Sequence, residues 1–230
     1  MVKIQNFVFC WNDFVKSSLE LEKNLQEFGN TIVINSNTSH TFNHWITLND
    51  GFFSEQWNCL LNNIDKDADF ILHIQSDASI SNYNLLFERF FEAESKYNIG
   101  IFSPNVDDTW HEYHIQKLKK IEDFIYEVPN TDCTCWFINT KLINKNTPLY
   151  NVEKNKYGYG ADWYYSAKAR LNNKLVLRDY YMTVKHPCFK GYDQNKASEG
   201  FEKWKSEQSE NIKQEIDIIL KEVSVKNINF

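Results

Sequence analysis

Four short, largely apolar runs punctuate the first hundred or so residues of this chain, at 4–11, 31–34, 70–74 and 99–102. They are too short for helices, and they lack the polar alternation of a strand with one wet face. Such runs read as strands buried on both sides, the usual state in a parallel sheet covered by helices. The segments between them carry the complementary signal. Val15, Leu19, Leu21, Leu25 and Phe28 recur at roughly helical spacing, and Gly29 ends the pattern. Phe53, Trp57, Leu60, Leu61 and Ile64 form one stripe, and a further amphipathic helix is predicted over 84–97. Strand, helix and strand in series give right-handed crossovers. The expected fold is a single Rossmann-like α/β domain, with a mostly parallel central sheet and helices on both faces.

The pattern weakens between 105 and 130, where Lys117, Lys119 and Lys120 read as a solvated face. Strands are predicted at 135–139, 175–177 and 180–185, and a short helix at 163–171 after the loop Tyr157-Gly158-Tyr159-Gly160-Ala161-Asp162. Beyond a domain of residues 1–197, a helical tail is expected over 198–230. Ile212, Ile216, Ile219, Leu220 and Val223 stripe one face of it. An isolated helix of this length is marginal in water, so the stripe must pack on something. The chain's own domain is one choice, and a second copy in a homo-oligomer is the other. Membrane attachment of this helix is less favoured than either, because its polar face mixes signs instead of being rich in Lys and Arg.

The totals narrow the function. At 230 residues the chain fits one large domain, and a net charge of −6 argues against nucleic acid as a partner. Five irregularly spaced cysteines do not suggest a disulfide framework, so a reducing cytoplasm is expected. No transmembrane segment is long and apolar enough to be expected.

Ligands of open parallel sheets bind beyond the carboxyl ends of the strands. Asn12-Asp13, Asn35-Ser36 and Ser76-Asp77 stand at such ends. A carboxylate past a buried strand can coordinate a cation at the rim; capping of the next helix is the other reading, and the one favoured on Asp77 alone. Asp162 invites the same two readings, base or helix cap. His186 is either a strand-end histidine or a ligand. Other clusters carry less. His40 and His44 have helical spacing in a loop-like segment; His111-Glu112-Tyr113-His114 is one residue short of a zinc-protease helix; Cys133 and Cys135 lack a second pair.

The order of these segments resembles the inverting family 2-like glycosyltransferases of the GT-A fold. Leu48-Asn49-Asp50-Gly51 precedes a helix containing Gln56 and Asn58, and the strand over 70–74 ends in Ser76-Asp77. Ile99-Gly100-Ile101-Phe102-Ser103-Pro104, the stretch 130–138, the Asp162 loop with Ala167-Lys168-Ala169-Arg170, and Val184-Lys185-His186 follow in the family's order over about residues 4–190. The resemblance implies Mn²⁺ or Mg²⁺ held by Asp77 and His186. It implies a nucleotide-sugar donor near Asn12, Asn35, Asn58, Ser76 and Asp77, and Asp162 as the base. A carbohydrate or glycolipid acceptor would lie near Asp132 and Trp163. It also implies a setting in bacterial surface-polysaccharide synthesis, in the cytoplasm or peripheral at the inner face of the membrane. The family's paired acids are single here, with Ser76 beside Asp77 and Ala161 beside Asp162. A catalytically weak carbohydrate- or nucleotide-binding protein is therefore the alternative. A sugar-nucleotide pyrophosphorylase would need a Gly-rich basic loop after the first strand, and residues 10–16 contain no Gly.

Overall fold

The computed structural model describes residues 2–11, 13–49, 51–107, 119–145, 147–187 and 192–224. In chain order the strands are β1 (Ile4–Cys10), β2 (Asn30–Asn35), β3 (Ile46–Thr47), β4 (Phe70–Gln75), β5 (Ile99–Val106), β6 (Lys119–Glu122), β7 (Ile125–Glu127), β8 (Cys135–Asn139) and β9 (Leu175–Val184). The helices are α1 (Val15–Leu25), α2 (Phe53–Asn62), α3 (Tyr83–Lys96), α4 (Ala161–Leu171), α5 (Gln194–Ser206) and α6 (Glu210–Ser224). Among the described residues these nine strands form one sheet in the order β3-β2-β1-β4-β8-β5-β9-β7-β6.

Every residue of β1 is buried, because β1 lies between β2 and β4 and is covered on both faces. One face packs Val8, Leu72 and Phe102 against Leu21 and Leu25 of α1 and Phe87 and Phe90 of α3. The other packs Phe7, Phe9 and Ile71 against Trp57 of α2, Tyr165 of α4 and Ile216 of α6. This two-sided burial is what the apolar runs demand.

The sheet is more evenly mixed than expected. Four neighbouring pairs are parallel (β1 with β2 and β4, β2 with β3, β5 with β9), and four are antiparallel. The change comes from β8, which runs against both β4 and β5. Its register pairs Trp136 with His73. The Trp136 indole N–H donates to His73 Nδ1 at 3.0 Å in the core. Burial pushes the His73 imidazole down to about 3, so it stays neutral and able to accept. The strands predicted at 175–177 and 180–185 are one strand, β9, whose register to β5 shifts after Pro104. The basic segment contributes Lys119 and Lys120 to the β6–β7 hairpin. Lys117 and the His111–His114 cluster fall outside the described residues.

The tail is two helices, and a boundary at 197/198 falls inside the first of them. Asp193 caps α5 by accepting from the Asn195 and Lys196 amides. Ile212, Ile216, Ile219 and Val223 are buried in the same core as α4. Arg170 of α4 pairs with Glu215 at 2.6 Å and Glu222 at 2.7 Å. The stripe considered above for a second copy is thus covered by the chain itself, and a homo-oligomer through it would have to displace α4.

Candidate active site

The carboxyl ends of β1, β2, β4, β5 and β9 share one edge with the amino end of β8. Ser79 and Lys185 form an antiparallel bridge there, with N–H···O distances of 2.8 and 3.0 Å. That bridge draws together two residues far apart in sequence. His186 Nε2 lies 3.4 Å from Asp77 Oδ2, and the Asp77 side chain is 2% exposed. Asp77 Oδ1 and the Ser76 hydroxyl are buried with no hydrogen-bond partner among the described residues. A desolvated carboxylate oxygen is costly unless something charged completes it. Asp77 does not cap the next helix. That helix, α3, starts at Tyr83, where Asn82 accepts from the Leu85 amide at 3.0 Å. We expect Asn82→Ala to cost about 1 kcal/mol in urea unfolding. Asp77→Ala should leave that cap intact.

No group of three or more His, Cys, Asp or Glu side chains able to hold a metal occurs among the described residues. Asp77 and His186 offer two donors, one oxygen and one imidazole nitrogen. That mixed pair suits Mn²⁺ better than the strictly oxygen-preferring Mg²⁺. The orphaned Oδ1 fits such an ion, with the other positions left to ligand oxygens.

A second group of residues reaches the same edge from the other side. Asp132 precedes β8; its Oδ1 accepts from the Thr134 amide at 2.9 Å, and its Oδ2 is buried without a partner among the described residues. The Cys133 thiol is raised well above its usual range, first by burial, then by the charges of Asp162 and Asp132. Both carboxylates therefore bear on one thiol. Gln75 Nε2, at the end of β4, lies 3.9 Å from Cys133 Sγ and leads directly into Ser76-Asp77. Asp162 is the second residue of α4, not its cap; Gly160 holds the cap position with φ 117°. An acid in the first turn faces the positive end of the helix dipole.

No protein family and no curated protein matches the chain by sequence. Solved structures do match. Residues 1–349 of S. aureus TarS are 14% identical, with 96% of this chain and 70% of that one covered and a TM-score of 0.59. M. tuberculosis glucosyl-3-phosphoglycerate synthase, solved with Mn²⁺, uridine diphosphate and phosphoglyceric acid, is 10% identical. That alignment covers 86% and 74% of the two chains with a TM-score of 0.53. The same enzyme with Mg²⁺ and uridine diphosphate scores 0.52 over 96% of this chain. These neighbours are GT-A glycosyltransferases. The chain has the GT-A fold.

On the GT-A edge, several residues named from sequence serve the scaffold. The Asn35 amide donates to the Asn37 and His40 carbonyls, and its oxygen accepts from the Asn37 amide, so the side chain closes the loop after β2. Asn58 makes two hydrogen bonds to the Tyr150 backbone. Trp163 is buried and packs near Phe201 of α5. Asn12 lies outside the described residues. His44 contacts Glu22 at 3.3 Å instead of teaming with His40. Gln56 clamps the ends of β1 and β2 through the Cys10 and Ile34 carbonyls. What the sequence did not disclose is the approach of Tyr192 to the GT-A loop bearing Asp162. The Tyr192 and Tyr159 hydroxyls are 2.7 Å apart. The repeated Tyr-Gly of that loop was visible; Tyr192 carries no local signal.

Proposed function

We propose that the chain transfers a sugar from a nucleoside-diphosphate donor to a carbohydrate hydroxyl, with inversion. The observation that carries this reading is the gathering of Asp77, His186, Asp132 and Asp162 on one GT-A edge. Asp77 and His186 would hold a divalent ion, Mn²⁺ or Mg²⁺. When bound, that ion supplies positive charge against the diphosphate as it leaves. The protein's own residues do the rest. Asp162 takes the proton from the acceptor hydroxyl, which is a poor nucleophile until a base does so. A single displacement by that oxygen on the sugar's anomeric carbon inverts the centre. Asp132, fixed by the Thr134 amide, accepts from an acceptor hydroxyl through its free Oδ2. The Mn²⁺- and Mg²⁺-bound uridine diphosphate in a GT-A neighbour supports the donor class. Synthesis of a bacterial surface polysaccharide, at the inner face of the membrane, is the setting that goes with this reading.

Asp77→Ala should lower the affinity for nucleoside diphosphate in Mn²⁺ by at least about tenfold, the loss of one charged contact. Calorimetric titration of both folded proteins checks it, and equal affinities would remove Asp77 from the donor site. The single acids at both motifs favour a second reading, a binding protein of low activity. Donor hydrolysis with and without Mn²⁺ separates the two; a protein that binds the donor without ever turning it over belongs to the second.

A further inference from the structure

Beside Asp162, four aromatic rings stand in a row. Phe52 and Tyr157 meet edge to face at 5.9 Å, and Tyr157 and Tyr192 lie 5.5 Å apart at 31°. Tyr192 then meets Tyr159 through their hydroxyls at 2.7 Å. Phe52 and Tyr192 are 36% and 37% exposed, so the row is a surface and not a piece of core. It is also held rigidly. Gly158 (φ 65°) seats the loop against Phe53 and Ser54, and the Tyr150 hydroxyl donates to the Gly158 carbonyl at 2.7 Å. Burial raises the Tyr159 and Tyr192 phenols, and the charge of Asp162 raises both further, which places the carboxylate within electrostatic reach of the row.

Resting on the transferase reading above, we infer that the row Phe52–Tyr157–Tyr192–Tyr159 is the acceptor platform, and that it selects an uncharged pyranose. A pyranose is amphipathic, with an apolar C–H face for ring stacking and hydroxyls for the phenols and Asp132. An anionic acceptor would meet the carboxylates of Asp132 and Asp162. Among the described residues, the cation stacked on the row is Lys156, 3.7 Å above the Phe52 ring at the end away from Tyr159. This separates the chain from its GT-A neighbour solved with phosphoglyceric acid. Tyr157 and Tyr192 thus take the role that the sequence resemblance gave to Trp163.

The test is equilibrium binding, which needs no turnover. Methyl β-D-glucopyranoside, methyl β-D-galactopyranoside, methyl 2-acetamido-2-deoxy-β-D-glucopyranoside and 3-phosphoglycerate are titrated by saturation-transfer NMR in Mg²⁺ and uridine diphosphate. At least one pyranoside should take up saturation at its ring C–H protons, and 3-phosphoglycerate should not. Tyr157→Ala and Tyr192→Ala should each weaken pyranoside binding by about 2- to 10-fold, the scale of one ring contact. Phe124→Gly, which removes a 51% exposed ring on the distant β6–β7 hairpin, is the control and should have no effect. Should Tyr192→Ala not fold, Tyr192→Phe keeps the ring and removes only the hydroxyl contact, and a smaller loss is expected. The inference is overturned by wild-type protein that binds no pyranoside, by variants that bind as well as wild type, or by preferential binding of 3-phosphoglycerate. Nucleotide binding is measured separately. Its absence beside intact pyranoside binding would sink the transferase reading alone, and the reverse result would sink this one alone.

Discussion

Exchange of Asp162 for Asn should lower the rate of sugar transfer by ~10²-fold or more, the usual scale of a lost general base. Asn keeps the volume and the polarity at the second position of α4, so the helix start is preserved. What disappears is the ability to take a proton. Asp162 is 9% exposed, and its charge raises the Cys133 thiol and the Tyr159 and Tyr192 phenols around it. Single-turnover transfer by wild type and variant is the direct measurement, with nucleoside diphosphate affinity as the control for an intact donor side. Native-like transfer by the Asn variant would reduce Asp162 to a first-turn acid that complements the helix dipole.

A comparably large effect, on stability, is expected from Gly160→Ala. Gly160 has φ 117°, a conformation that L side chains rarely adopt. A Cβ there would sit 2.4, 2.7 and 2.9 Å from three carbons of the Trp204 ring. The ring cannot retreat, because its N–H donates to the Leu149 carbonyl at 2.8 Å and Tyr150, Tyr164 and Phe201 surround it. Backbone strain of ~1–2 kcal/mol and overpacking of ~1–3 kcal/mol together predict a loss of about 3 kcal/mol. For a chain of this size that lowers Tm by roughly 6–12 °C. Adding Trp204→Leu to Gly160→Ala should restore part of the loss relative to Trp204→Leu alone, if ring overlap contributes. No recovery in that double-mutant cycle would assign the whole effect to the backbone.

The first half of the sheet was legible because its information is local. The buried runs that became β1, β2, β4 and β5 need no partner to be recognised, and neither do the stripes of α1, α2 and α3. The direction of β8 was not legible. The pattern Cys135-Trp136-Phe137-Ile138 reads the same in a parallel or an antiparallel pair, and only its pairing with β4 and β5 decides. The contact of His186 with Asp77 depends on the Ser79–Lys185 bridge across 106 residues of sequence, so residue types suggested it only through family order. Carboxamides misled for a related reason. Asn35 and Asn58 look alike in sequence whether they face a ligand or close a loop, and here both serve backbone. The break between α5 and α6 did have a signal, Ser209 before Glu210, but the continuous charge pattern around it hid the stop.

The reversed course of β8 makes the sheet a measuring device for the chemistry at its edge. Asp77 leaves the edge on β4, whereas Asp132 enters it on β8. Both lie three residues beyond the Ile74–Cys135 pair on the same side, so their separation along the strands is the difference of two equal offsets, and it is set by which residue of β4 faces which residue of β8. A slip of one residue would turn the buried Trp136 to the opposite face. A slip of two would preserve the faces but carry Asp132 about 7 Å along the strand axis relative to Asp77. The hydrogen bond from Trp136 to His73 resists both, since either slip leaves two buried polar groups without each other. The spacing of the Asp77 and Asp132 carboxylates is thus set in the dry middle of the sheet, several residues away from the edge where we propose that the sugars bind.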